Sequence, residues 1–247
     1  MYQVMVIAGT RPEAIKLAPV LLALKHSPVL QSVLCSTGQH HEMLRQAWEA
    51  FGLTPDINMD VMKSSQTLAG LSARLFGTVD AELEAYKPDF LLVQGDTTTV
   101  MVAATCAFYR NIPVGHVEAG LRSHDLGKPF PEEFNRRVAG LATTLHFAPT
   151  AGAAQNLYAE GVEKGRVFIT GNTVVDALHL MREKVRTMPP DLPADVAEAV
   201  REERPLVLIT VHRRELSAEG LEAICDAVAG MARDFPSAAF IWPVHLN

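Results

Sequence analysis

The 247-residue chain has little of what marks the commoner special sites. Its three cysteines, Cys35, Cys106 and Cys225, lie far apart in apolar segments. There is no CxxC pair and no disulfide spacing, which argues against a disulfide framework and leaves three buried, reduced thiols as the expectation. No run of Lys and Arg supplies a nucleic-acid footprint, and the net charge of −6 points the same way, so any anion site must be local. No apolar run approaches the ~20 residues of a membrane span, so no membrane partner is expected. The opening MYQVMVIAGT has no basic residue before its apolar run and is broken at Gly9-Thr10-Arg11-Pro12, unlike a secretory leader. A cytoplasmic protein is expected. GxGxxG, Walker A, GxSxG and HExxH are all missing, as are internal repeats and low-complexity tracts.

What is present is an ordinary globular composition, 48% hydrophobic and 20% charged, of a length that fits one or two domains. Short apolar runs alternate with segments of helical periodicity. QVMVIA (3–8) is a strand; the stretch after Pro12 is a helix, with Ile15, Ala18, Leu21 and Leu22 at helical spacing. VLQSVLCST (29–37), DFLLVQGD (89–96), NIPVGHVE (111–118), LHFAPT (145–150) and VFITGN (167–172) are further strands, separated by helical segments. DFLLVQGD is nearly continuous in apolar residues, the pattern of a central parallel strand covered on both faces. Regular alternation predicts an α/β fold, a Rossmann-like doubly wound parallel sheet with right-handed crossovers. TMPPDLP (187–193), with three prolines, reads as a connector. Residues 1–186 are expected to form one domain. Residues 187–247 are expected to be a linker and one βαβ unit, the start of a second Rossmann-like domain whose remainder is missing or supplied by another chain, because a lone βαβ leaves its sheet edges unpaired.

Several loops leave strand ends with unusual polar content. Gly9-Thr10-Arg11-Pro12-Glu13 joins helix-start amides to an arginine fork, an anion site or a plain tight turn. Gln94-Gly95-Asp96-Thr97 places an acid where either catalysis or a helix cap would want one. His116 to Arg137 runs from a strand end, Glu118, through a polar loop with Arg122 and Lys128, to a helix start at Glu132 and Glu133. Acids in a first helical turn also serve simply by complementing the helix dipole. No further ligands at metal spacing accompany His116 and Glu118, so no metal is expected. Gly171-Asn172-Thr173 is another loop entering a helix, and His212-Arg213-Arg214-Glu215 is a basic cluster suited to a phosphate or an anionic leaving group. In open α/β sheets ligands bind beyond the carboxyl ends of the strands, where all these loops lie. The residues alone thus describe proton transfer on an anionic, phosphorylated substrate.

GTRPEAIKLAP (9–19), QGDTTT (94–99), HVEAGLRS (116–123), PEEFNRR (131–137), FITGNTVVDAL (168–178), VHRRE (211–215) and PVHLN (243–247), collinear along the chain, resemble the non-hydrolysing UDP-N-acetylglucosamine 2-epimerases. The resemblance implies a GT-B-like architecture of two Rossmann-like domains, with no cofactor. It implies interconversion of UDP-GlcNAc and UDP-ManNAc by anti elimination of UDP to a 2-acetamidoglucal and re-addition. Matching positions make Asp96, Glu118, Glu132 and His212 the expected catalytic residues, and Arg11, Arg136, Asn172 and Arg213 the expected substrate-binding ones. Gln39, His40, Glu42, Arg213 and His245 match a site at which UDP-GlcNAc activates bacterial members, although some of these carry Gln where this chain has Glu42. Leu216 departs from the Asn that often follows HRRE. A homodimer is expected from the family alone. Family members continue into a segment that holds the nucleotide, so these 247 residues alone are expected not to epimerise. A hydrolysing epimerase that releases ManNAc and UDP, a UDP-sugar glycosyltransferase and a non-catalytic sugar-nucleotide-binding remnant are the rival readings; the Asp96, Glu118 and Glu132 set argues against the glycosyltransferase.

Overall fold

The structure, a computed structural model, describes residues 1–38, 41–63, 66–211 and 217–243, with the backbone alone for 41 and 42. The described chain divides into two compact units, Met1–Lys184 and Val185–Asn247. Unit 1 is built on β1 (Tyr2–Ala8), α1 (Arg11–Lys25), β2 (Leu30–Ser36), α2 (His41–Ala50), β3 (Ile57–Asn58), α3 (Leu68–Tyr86), β4 (Phe90–Gln94), α4 (Thr98–Tyr109), β5 (Val114–Val117), α5 (Glu132–Ala142), β6 (Leu145–Ala148), α6 (Ala151–Ala159) and β7 (Val167–Ile169). The helix α7 (Thr173–Thr187) runs across the boundary. The seven strands form one parallel sheet in the order β3-β2-β1-β4-β5-β6-β7. The order reverses between β1 and β4, a topological switch point of the kind that opens a crevice at the carboxyl edge of the sheet.

The apolar run of β1 is explained by burial on both faces. Met5 and Ile7 pack with Leu75, Val79 and Val102 of α3 and α4. Val4, Val6 and Ala8 pack instead with Leu17, Leu21 and Trp48 of α1 and α2. Successive strand side chains point to opposite faces, so two clusters share one strand. On the α1 side, beyond β1, the sheet opens into a cavity of about 500 Å³ lined by Val20, Leu24, Phe90, Leu92, Val117 and Phe147. Cys35 and Cys106 are buried, as expected, and burial raises both thiols above their ordinary value, Cys106 to about 11. Cys225 is exposed, contrary to the sequence reading; its helix is apolar in pattern but has no buried residue.

Unit 2 holds α8 (Ala194–Arg201), β8 (Leu206–Leu208), α9 (Ala218–Asp234) and β9 (Ala239–Ile241). The strands β8 and β9 pair in parallel, the βαβ unit that the pattern indicates. The short α8, directly after the proline-rich stretch, has no counterpart in the sequence reading. Its N-cap position is Pro193, which offers no side-chain acceptor, so the usual start signal is missing.

Candidate active site

The site is assembled from loops at the carboxyl ends of β1, β4, β5 and β7. At the exit of β5 the chain turns sharply. Glu118 takes φ +66°, a conformation uncommon for a residue with a side chain, which is tolerated where the surroundings hold it. Gly120 follows at φ +85°, so close to α6 that a Cβ there would overlap the Ala153 carbonyl oxygen. Only glycine fits that approach. The turn aims the Glu118 carboxylate across the strand ends, where only 11% of its side chain is exposed.

Glu118 is held by three donors from three other elements. Lys16 Nζ reaches its two oxygens at 2.8 and 2.6 Å, Gln94 Nε2 donates at 2.6 Å and Asn172 Nδ2 at 2.6 Å. Sequence reasoning singled out Asn172 but passed over Lys16 and Gln94, although both stand inside quoted motifs. The available signal was a lone lysine in the otherwise apolar AIKLAP stretch of α1 and a buried glutamine ending an apolar strand. Asn172 makes two contacts: its Nδ2 reaches Glu118, and its Oδ1 accepts from Val174 N at 3.1 Å as a helix cap does.

Asp96 lies one loop away. The N-cap of α4 is Thr97, whose hydroxyl accepts from Val100 N at 3.4 Å; this leaves the Asp96 carboxylate free of capping. Arg136 of α5 pairs with it, and Asn135 Nδ2 donates to the Asp96 carbonyl at 3.0 Å. Burial pushes Asp96 above the ordinary carboxylate value against the pull of Arg136, and the charges of Glu132 and Glu118 push the same way. The charges of Glu118 and Glu132 thus both reach Asp96, and like charges near a carboxylate raise its proton affinity. Glu132 is the first residue of α5 and half-buried. Glu133 is fully buried: burial alone would raise it, but Ser123 N–H, Arg137 and Arg136 hold it below its ordinary value. It anchors the 118–131 connection, which contains two cis prolyl peptides, Lys128–Pro129 and Phe130–Pro131.

Two other predicted groups are placed differently. The amides of Gly9 and Thr10 are both taken by Glu13 Oε2 at 2.6 Å, so the start of α1 is already occupied by a carboxylate and does not offer those N–H groups to a second anion. The Thr97 hydroxyl donates to the other Glu13 oxygen at 2.6 Å, tying the β1–α1 loop to the β4–α4 loop. Arg11 remains exposed beside this cluster. Arg122 is drawn away from the site: it forms a two-pronged pair with Glu160, the residue that caps the end of α6, at 2.7 Å for each bond, with 1% of its side chain exposed. His116 is a packed strand histidine whose Nε2 lies 2.7 Å from the Gly95 carbonyl oxygen. Gln39, His40, His212, Arg213 and His245 lie outside the described residues, and of Glu42 only its place on α2 is described.

Comparison with known proteins identifies the family. The family model described as UDP-N-acetylglucosamine 2-epimerase matches residues 22–247. The UDP-N-acetylglucosamine 2-epimerase of Yersinia pestis is 45% identical over 248 residues, 99% of this chain and 66% of the relative. The crystal structure of UDP-GlcNAc 2-epimerase from Neisseria meningitidis bound to UDP-GlcNAc superposes with a TM-score of 0.88 at 39% identity, covering 99% of this chain and 66% of that one. The Staphylococcus aureus MnaA–UDP structure gives a TM-score of 0.86 at 37% identity, covering 100% of this chain and 64% of that one. The chain thus spans about two thirds of the length of the relatives it matches. With the motif loops, the parallel sheet and the family match in agreement, the chain belongs to the UDP-N-acetylglucosamine 2-epimerase family.

Proposed function

We propose that the protein to which this chain belongs is a non-hydrolysing epimerase that interconverts UDP-GlcNAc and UDP-ManNAc. The observation that carries the reading is the convergence of Asp96 and Glu118, from separate loops, with Lys16, Arg136 and Asn172 at the carboxyl edge of the sheet. The C2 proton of the sugar is weakly acidic, so its removal needs a positioned, partly desolvated carboxylate while the diphosphate departs. Asp96, raised by burial, has the proton affinity for accepting a proton and returning it. Glu118, fixed by its donors, holds the Lys16 ammonium beside the reacting face, where it steadies developing negative charge. Glu132, whose charge reaches Asp96, is the second acid–base group of the proposal. Arg11 and Arg136 supply cationic surroundings that a departing UDP requires; the roles of His212 and Arg213 that the family resemblance implies belong to the same proposal. A homodimer belongs to the same proposal.

The test is to incubate the protein at its natural length with UDP-GlcNAc in deuterated water. The expected product is UDP-ManNAc carrying deuterium at C2. Release of free ManNAc and UDP would instead assign the hydrolysing reaction, and retention of the C2 proton with no new product would reject both.

A further inference from the structure

A buried histidine that only fills space is a poor choice, because each ring nitrogen left without a partner carries a desolvation cost that an apolar side chain avoids. His116 is fully buried, and its Nδ1 has no hydrogen-bond partner. His146, its in-register neighbour on β6, is buried too and also has an unpartnered Nδ1. What His116 provides in return is the contact of its Nε2 with Gly95 O at 2.7 Å.

That contact stands where the sheet ladder breaks. Gly95 N–H still donates to Val117 O, at 3.1 Å, in continuation of the β4–β5 pairing. The next ladder bond would join the Gly95 carbonyl to the N–H of Ala119. The turn at Glu118 sends that N–H to Phe147 O on β6 instead, at 3.1 Å. The Gly95 carbonyl would be left unpaired, and Gly95 itself sits at φ +82°. This carbonyl belongs to the peptide unit that leads into Asp96. A carbonyl only accepts, so Nε2 carries the proton and Nδ1 is bare.

We propose that His116 is a positioning residue for Asp96: as a neutral Nε2–H imidazole it replaces the missing ladder donor and fixes the peptide plane from which the Asp96 side chain projects. Asn135 fixes the peptide on the other side of Asp96 through the Asp96 carbonyl, and Arg136 fixes the carboxylate. All three restraints on Asp96 thereby come from elements outside its own loop. Burial also keeps the imidazole neutral. The role in turnover rests on the epimerase reading given above; the hydrogen bond and its effect on Asp96 do not.

Three measurements test this on the protein at its natural length. Long-range proton–nitrogen spectra of histidine-labelled protein at neutral pH should show His116 with Nε2 protonated and Nδ1 bare; the opposite tautomer or an imidazolium overturns the proposal. In epimerisation assays His116→Phe should lower kcat by about 30- to 100-fold, the scale of a displacement near 1 Å, with KM changed less than about twofold. His116→Gln, whose amide can donate to the same carbonyl, should recover most of that loss; equal loss in both variants, or none in His116→Phe, overturns it. Finally, the Asp96 carboxyl titration followed by carbon NMR should move in His116→Phe and stay in place in His116→Gln. If the unmutated protein fails to exchange the C2 proton, the epimerase reading is lost, and the tautomer and the Asp96 titration still decide the role of His116. If His116→Phe does not fold, the tautomer and the Gln variant decide it.

Discussion

Lowering the pH from 7 to 5 should destabilise unit 1 through two buried histidines. His116 and His146 stand side by side on β5 and β6 and are both held well below the ordinary imidazole value, each at about 4. For both the first cause is burial. Around His116 the Gly95 carbonyl and Glu118 favour the charged ring, while Arg122 and Arg136 oppose it; around His146 the charges of His116, Arg166 and Arg122 oppose it and Glu160 favours it. In the unfolded chain each titrates near its ordinary 6.5. The unfolded state therefore takes up protons first as pH falls, and stability present above pH 6.5 is lost progressively down to about pH 4. A shift of this size makes the loss at pH 5 about 2 kcal/mol for His116 and about 1 kcal/mol for His146, whose shift already includes repulsion from a protonated His116. Asp96 and Glu13, raised by burial, act in the opposite direction, since protonation favours their buried forms. Comparing His146→Phe with the unmutated protein cancels those terms, and the Asp96 titration measured separately corrects for them in the double variant. Urea unfolding at pH 7, 6 and 5 should show the acid-induced loss reduced by about 1 kcal/mol in His146→Phe and by about 3 kcal/mol in the double Phe variant. A pH dependence unchanged in the double variant would refute the argument that these rings are buried and neutral.

Three further outcomes are expected. Glu118→Gln should abolish epimerisation while UDP affinity, read by calorimetry, stays within about threefold, because the change removes a charge from the reacting face and keeps the side-chain shape. Lys16→Met should lower kcat by at least about 100-fold, the scale of losing one aimed donor, and circular dichroism should show the fold intact, since the lysine stem lies on the partly exposed side of α1. Gly120→Ala should cost about 2–4 kcal/mol in urea unfolding, because the new Cβ meets the α6 backbone and φ is +85°; stability equal to that of the parent would show that α6 yields there.

Much of unit 1 is legible in one dimension because its signals are local. Apolar runs of strand length, helical spacing of apolar residues and polar loops at strand ends identify β1, β2, β4 to β7 and the intervening helices without reference to anything distant. Asp96, Glu118 and Asn172 are visible for the same reason, each standing just past a strand. β3 is two residues long and α8 lacks a start signal, so neither leaves a pattern to read.

The sequence by itself determined which loops gather at the carboxyl edge of the sheet, since regular strand–helix alternation implies parallel strands with right-handed crossovers, whose ends all lie at one edge. It did not decide what those loops do to one another. Lys16 and Glu118 stand 102 residues apart, and Asn172 and Glu118 stand 54 apart. Their meeting depends on where neighbouring strand ends fall, and no local pattern encodes that. The same holds for Glu13, whose side chain occupies amides that looked open to an anion, and for Arg122, claimed by Glu160 across 38 residues. The role of His116 is likewise tertiary: an imidazole in a strand becomes a ladder donor only because its own strand turns away at Glu118 and leaves the Gly95 carbonyl beside it without a partner.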